Sequence, residues 1–325
     1  MITRRKLLCA SLAAGASAML RPKFVRAKAS QPSTPVDFEV PSGACDCHTH
    51  IFGDARQYPW FSGRTYTPES ASVAEMRALH KALHIDRVVI VNPSVYGPDN
   101  SCTLDAVKQL GPRARAVAVI DDKTSAVQLD EMAHRGVRGI RLNFENFGQT
   151  NPDAARKAFD RAVERVAPHK WHIQIYTRLL VIEGLHMQIM AAPVPVVLDH
   201  FGGAKASLGT GQPGFDTMLD LVRSGKAYVK ISGAYRSSEK PPDYSDVVPL
   251  AKALIAANSD RIVWGSDWPH PTGGALPGHT ASDLAPLLQI DDGRLLNQLP
   301  VWAPDAGVRK KILVENPARL YGFGS

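Results

Sequence analysis

Beyond residue 43 the chain alternates between two hydrophobic rhythms. Short apolar runs rich in β-branched residues occupy 44–50, 87–92, 114–120, 137–143, 171–177, 195–200, 227–233 and 261–267. Between most of them, apolar positions recur at helical spacing, over 73–83, 125–135, 152–166, 215–223 and 247–257. Strand patterns alternating with helix patterns predict βαβ units and a parallel sheet. Eight such units within 44–325 predict a single α/β domain, a closed (β/α)8 barrel of the TIM type, entered through a polar linker at 30–43. The competing open, doubly wound sheet lacks support, because no glycine-rich phosphate loop follows an early strand.

Polar residues gather where these strands end. The first run carries Asp46, His48 and His50, the fourth Arg141 and Asn143, and the fifth Gln174 and Tyr176. The sixth ends in Asp199-His200, the seventh runs into Tyr235-Arg236, and the eighth ends in Asp267, with His270 just beyond. Parallel barrel strands are buried on both faces, so ionisable groups there need partners or a task. In this architecture, reacting groups come from the C-terminal strand ends. Strict alternation puts Asp46, His48 and His50 on one face of the first strand, with Cys45, Cys47 and Thr49 on the other.

Charge changes the picture once the first residues are set apart. Arg4, Arg5 and Lys6 precede an apolar run over 7–20, followed by a basic stretch and Ala27-Lys28-Ala29. That layout is an export signal, and the paired arginines point to the twin-arginine route, with the Tat translocase as partner and the periplasm as destination. The run is too short and too poor in large apolar residues to span a bilayer, so stable membrane insertion is not expected. The formal net charge is +7, yet residues 1–29 hold seven bases and no acid. The remainder of the chain is balanced in charge, which removes the case for a nucleic-acid partner. Of the four cysteines, Cys9 lies in the signal, and Cys45, Cys47 and Cys102 make no disulfide framework. His80, His84, His134 and His186 fall in helical stretches and read as packing or solvated faces, and the glycine-rich 209–214 as a rim loop.

Two imidazoles two residues apart can converge on one point in a barrel lumen. With a third histidine and a carboxylate they can bind Zn²⁺ or polarise a carbonyl without metal. Asp46-Cys47-His48-Thr49-His50-Ile51-Phe52-Gly53, Asp199-His200-Phe201-Gly202-Gly203 and Trp264-Gly265-Ser266-Asp267-Trp268-Pro269-His270 together resemble the amidohydrolase superfamily. Glu315-Asn316-Pro317-Ala318-Arg319-Leu320-Tyr321-Gly322 extends the likeness to the end of the chain. Within the superfamily the chain is similar to the lactonase branch, which includes 2-pyrone-4,6-dicarboxylate lactonase and sugar-lactone hydrolases.

The resemblance implies Asp267 as the base that activates water, with His48, His50 and His200 polarising the lactone carbonyl. It also implies a substrate site built from Tyr66, Ser94, Arg141, Tyr176, Arg236 and His270. Arginine suits bidentate carboxylate recognition, so the expected partner is a small acidic lactone, pyrone-dicarboxylate-like, muconolactone-like or a sugar-acid lactone. Two departures bear on this. Where the pyrone dicarboxylate enzymes carry a further arginine after the fourth strand, this chain has Phe144-Glu145-Asn146-Phe147. Arg141 and Gln174 or Tyr176 stand where many members have a metal-bridging lysine and a histidine. A dinuclear site is therefore not expected. No cofactor is expected to be required, while a single zinc on His48, His50, His200 and Asp267 stays open. A zinc-dependent decarboxylase and a lactone isomerase are the alternative activities. A periplasmic solute-binding module would need no such histidine–aspartate cluster.

Overall fold

The computed structural model describes residues 29–324, so all of the expected export signal but Ala29 lies outside the described residues. Each of the eight apolar runs contains a strand: β1 (Cys45–Thr49), β2 (Arg87–Val91), β3 (Ala114–Ala118), β4 (Val137–Asn143), β5 (His172–Tyr176), β6 (Val196–Leu198), β7 (Ala227–Ser232) and β8 (Ile262–Gly265). They pair in sequence order and all in parallel. Closure comes from backbone just past β8. Asp267 N donates to His48 O at 2.9 Å, His50 N donates to Trp268 O at 2.8 Å, and Thr49 bridges Trp268 in parallel. The result is a (β/α)8 barrel whose seam lies between the two segments carrying the expected reacting groups.

The predicted helices form at Val73–Ala82, Ala126–His134, Pro152–Val166, Phe215–Arg223 and Val248–Ala257. Two begin in capping boxes, Ser72 with Glu75 and Ser125 with Gln128, and Asn151 caps a third. Each cap satisfies backbone donors that a helix start leaves free. The pattern did not reveal Ser101–Leu110, whose buried face mixes Cys102, Thr103 and Ala106 with Leu104, Val107 and Leu110. The short helix Leu179–Gly184 was not revealed either, while His186 does fall in a helix, His186–Ala191, as expected. Residues 30–43 are irregular but fastened: Ser33 and Thr34 hydroxyls both donate to Asp291 at 2.6 Å. Among the described residues, no helix is long and apolar enough to cross a membrane.

Alternation along the strands separates two cores. Val88, Ile90, Ala116, Ile173, Val196, Val229 and Trp264 face outward into the helix layer. Cys45, Cys47, Val89, Val91, Val117, Val197, Tyr228 and Val263 fill the lumen, with Tyr321 and Phe323 packed against them. The three described cysteines are free and buried, as a packing role requires. Going up the lumen, side chains turn polar: His172, Gln174, Lys230, Asp199, Ser232 and Asp267 are all buried.

The first strand corrects one expectation. Its register shifts between Asp46 and Thr49, so the period of two breaks there and a one-residue slip exchanges faces. Cys45 and Cys47 keep to the lumen, and His48 and His50 turn inward beyond the irregularity. Asp46 does not join them. It accepts from Ser266 Oγ at 2.6 Å and from the backbone amides of His48 (3.1 Å) and Ser266 (3.0 Å), with His80 Nε2 at 3.2 Å. Asp46 thus pins β1 to the β8 segment and to the helix bearing His80, and its function is to hold the seam.

Candidate active site

Asp267 is the centre of the upper lumen. Its backbone sits in the left-handed region at φ 67°, as do His200 (49°), Phe201 (54°) and His270 (61°). Non-glycine residues adopt this conformation only where surrounding structure enforces it, and such residues gather at functional sites. Asp267 Oδ2 accepts from Tyr235 Oη at 2.6 Å and from Arg236 Nε. Oδ1 is buried and makes no hydrogen bond. It faces three imidazoles instead: His48 Nε2 at 3.6 Å, His50 Nε2 at 3.8 Å and His200 Nε2 at 3.8 Å.

The electrostatics are those of an ionised carboxylate among neutral imidazoles. Burial alone would push the Asp267 carboxyl up, but the Arg236 guanidinium holds it well below the usual range. Burial, reinforced by Arg141, lowers His50 to about 3. Burial, reinforced by Arg236, lowers His200 to about 4. Burial and the neighbouring Lys230 ammonium lower His48 well below its ordinary value. Desolvation disfavours the charged form of every imidazole here, so each enters chemistry neutral, with one proton and one lone pair. On the far side from Asp267, His50 Nδ1 meets Val91 O at 2.8 Å and His200 Nδ1 meets Ser232 Oγ at 3.0 Å.

A narrow chamber opens above Asp267, and the structure brings most of the expected substrate residues to it. Tyr66, Ser94, Arg141, Tyr176 and Arg236 line it with His50 and His200. Arg141 donates through Nε to Asp199 Oδ2 at 3.1 Å, and its guanidinium lies over the Tyr176 ring at 5.2 Å. Asn146 also lines the chamber and donates to Ser94 Oγ at 3.1 Å. In the 144–147 stretch, Glu145 turns to the exposed Arg178. A wider cavity of about 550 Å³ adjoins the chamber through Tyr176, His200 and Arg236, and Gln212 and Pro213 of the glycine-rich loop form part of its rim.

Of the expected substrate residues, His270 alone lies outside this lining; of the expected reacting groups, His48 does, fully buried behind Asp267. His270 is fully buried, with Nε2 on Asp292 Oδ2 at 2.9 Å, and its ring meets Tyr235 edge-on at 5.5 Å. Positive φ directs the side chain behind Tyr235, so His270 braces the wall from behind.

Sequence reasoning missed Lys230 and the structural part of Asp199. Lys230 Nζ reaches Gln174 Oε1 at 2.7 Å and His48 Nδ1 at 3.3 Å, with Asp199 Oδ1 at 3.5 Å. The signal was present: a lysine in Ala227-Tyr228-Val229-Lys230-Ile231-Ser232 shares lumen parity with Tyr228 and Ser232. Donor type and spacing also fit a divalent cation. His48, His200 and Asp267 each offer one ligand atom within 4.8 Å of the others, and His48 Nε2 has no hydrogen-bond partner.

The amidohydrolase family model matches residues 45–323. The chain belongs to the amidohydrolase family. This member is similar to lactone hydrolases over nearly its whole length. It is 38% identical over 289 residues to 4-sulfomuconolactone hydrolase of Hydrogenophaga intermedia, covering 89% of this chain and 91% of that one. It is 34% identical over 302 residues to 2-pyrone-4,6-dicarboxylate hydrolase of Comamonas testosteroni, covering 90% and 94%. A crystal structure from Pseudomonas putida described as a 2-pyrone-4,6-dicarboxylic acid hydrolase superposes with a TM-score of 0.72 at 29% identity, covering 88% of this amidohydrolase and all of that chain. The protein is an enzyme of this family.

Proposed function

We propose that this amidohydrolase opens the ring of a small acidic lactone by hydrolysis, with Asp267 as the base. One observation carries the reading: an ionised carboxylate has one oxygen saturated by Arg236 and Tyr235, and the other, unbonded, faces three neutral imidazoles under an arginine-lined chamber. Water between Oδ1 and the lactone carbonyl gives its proton to Oδ1 as its oxygen bonds to the carbonyl carbon. Negative charge moves to the carbonyl oxygen, where imidazole N–H donors stabilise it among buried side chains of low local dielectric. Collapse breaks the ring C–O bond, and the proton held by Asp267 passes to the departing oxygen, leaving an open-chain acid. The names of the relatives support this reaction class.

The lining also suggests what the substrate carries. Arg141 and Arg236 are the chamber's cations, while Tyr66, Ser94 and Asn146 are neutral hydrogen-bonding groups. One anionic group beside the ring, carboxylate or sulfonate, matches this set better than two. If a divalent cation were bound, His48, His200 and Asp267 would hold it and it would polarise the carbonyl as a Lewis acid. We read the reaction as not requiring one, because Arg236, Arg141 and Lys230 already surround the cluster with positive charge that would repel a dication.

The deciding experiment offers the purified protein a sulfomuconolactone, 2-pyrone-4,6-dicarboxylate and a neutral sugar lactone, with metal content measured before and after chelation. Ring opening of an acidic lactone that survives chelation supports the whole reading. Stoichiometric zinc whose removal abolishes turnover would replace the metal-free mechanism. Release of CO₂, or a rearranged lactone without ring opening, would replace hydrolysis itself. Export remains part of the proposal: substituting Lys for Arg4 and Arg5 should keep the protein in the cytoplasm, and unchanged periplasmic recovery would refute the twin-arginine route.

A further inference from the structure

The buried amide, carboxylate and ammonium beneath His48 admit only a few proton arrangements. Lys230 Nζ has three protons to give and accepts none. Around it stand Gln174 Oε1 at 2.7 Å, His48 Nδ1 at 3.3 Å and Asp199 Oδ1 at 3.5 Å. Gln174 bridges the other two: its Oε1 takes the Lys230 proton, and its Nε2 donates to Asp199 Oδ2 at 2.9 Å. That orientation of the amide is forced, since a lysine cannot accept and a carboxylate cannot donate. Arg141 Nε completes the shell of Asp199 Oδ2 at 3.1 Å.

The two members of the His-x-His pair then differ. His50 Nδ1 faces a carbonyl, Val91 O, which can only accept, so the proton sits on Nδ1 and Nε2 presents a lone pair to Asp267. His48 Nδ1 faces an ammonium, which can only donate. Its proton must then sit on Nε2, pointing at Asp267 Oδ1 3.6 Å away. The rival acceptor is Asp199 Oδ1, 3.3 Å from His48 Nδ1. It makes no hydrogen bond there, and its charge is already compensated by Lys230 and Arg141.

We propose that Lys230 is a positioning residue that holds the proton of His48 on Nε2, making His48 the hydrogen-bond donor and His50 the acceptor of the pair at the reacting centre. The proposal rests on the reading of His48 as a group of that centre. The donor then meets the carbonyl oxygen on which charge develops, and the acceptor meets the attacking water. A divalent cation would need the His48 Nε2 lone pair, so Lys230 also works against metal capture. Removing it should let the proton move to Nδ1, toward Asp199, and free Nε2 as a ligand atom.

The test is long-range ¹⁵N–¹H correlation on the full chain labelled in its histidine rings, with His48 and His50 assigned by His48→Gln and His50→Gln. The expected spectrum shows His48 protonated on Nε2 and His50 on Nδ1. A wild-type His48 protonated on Nδ1 overturns the proposal, whatever the protein hydrolyses and whether or not Lys230→Met folds. In Lys230→Met the His48 proton is expected to shift to Nδ1, and zinc affinity, titrated against a competing chelator, to rise about tenfold or more. An unchanged His48 spectrum in a folded Lys230→Met, or zinc affinity no higher than wild type, would equally overturn it. Failure to turn over any lactone would remove the proposed function and leave this measurement unaffected.

Discussion

Replacing Asp267 by asparagine separates the two tasks the structure gives this side chain. The amide keeps the shape and can still accept from Tyr235, but it cannot take a proton from water. General-base assistance is worth about 10²–10⁴-fold, so kcat is expected to fall by about 10³, or ~4 kcal/mol of barrier. The second task is electrostatic. Asp267 Oδ2 accepts from Arg236 Nε, and the Asp267 side chain is fully buried while that of Arg236 is 14% exposed. Breaking a buried pair by neutralising one partner typically costs about 3–5 kcal/mol, because the other charge is left uncompensated. The loss should lie toward the low end here, since Arg236 also donates to Pro271 O at 2.9 Å and borders the open cavity. An anionic ligand can then supply the missing charge. Asp267→Asn is therefore expected to show a lower Tm without ligand, a larger rise in Tm on adding an acidic lactone than wild type shows, and a KM no higher than wild type. Initial rates at saturating lactone and thermal melts with and without ligand measure all three. A kcat within threefold of wild type would refute Asp267 as the base. A KM raised tenfold would refute the account of Arg236 as a group shared between carboxylate and substrate.

Two further outcomes rest on the same geometry. Arg141→Ala should raise KM for an acidic lactone about 10–100-fold, the value of one charge-assisted pair, while a neutral lactone of the same ring size changes little; equal effects on both would remove the anion-binding reading of Arg141. His172, deep in the lumen against Tyr321 at 5.2 Å, is lowered to about 3 by burial and by Lys230. Its folded value lies below its unfolded one, so its stabilising contribution is full above pH ~6.5 and is lost as pH falls toward 3, at up to about 1.4 kcal/mol per pH unit. Denaturant unfolding of His172→Gln should show a shallower loss of stability across that window, and a slope equal to wild type would refute the assignment.

Much of the fold was legible because it rests on local rules. Short apolar runs rich in β-branched residues and apolar positions at helical spacing located the eight strands and five of the helices, since burial on both strand faces leaves a near-continuous apolar signature. The candidate site was legible to the same depth: polar residues at successive strand ends marked His48, His50, His200, Asp267, Arg141 and Arg236 from the sequence alone.

The features that escaped at the site were decided by contacts between segments far apart in sequence. The register shift in β1, which turns His48 inward and leaves Asp46 outside, depends on pairing with Arg87–Val91 and with the segment after β8. The position of His270 is set by a partner, Asp292, that no strand pattern announces. Lys230 stands 182 residues from His48, and only barrel closure sets its ammonium 3.3 Å behind that imidazole. Sequence thus determined which strand ends carry the polar groups, because strand ends are a local property, whereas the side to which Asp46 and His270 turn was set by contacts across the fold. Which protons those groups carry toward one another was left to the tertiary structure, because a proton's place depends on what lies across the lumen.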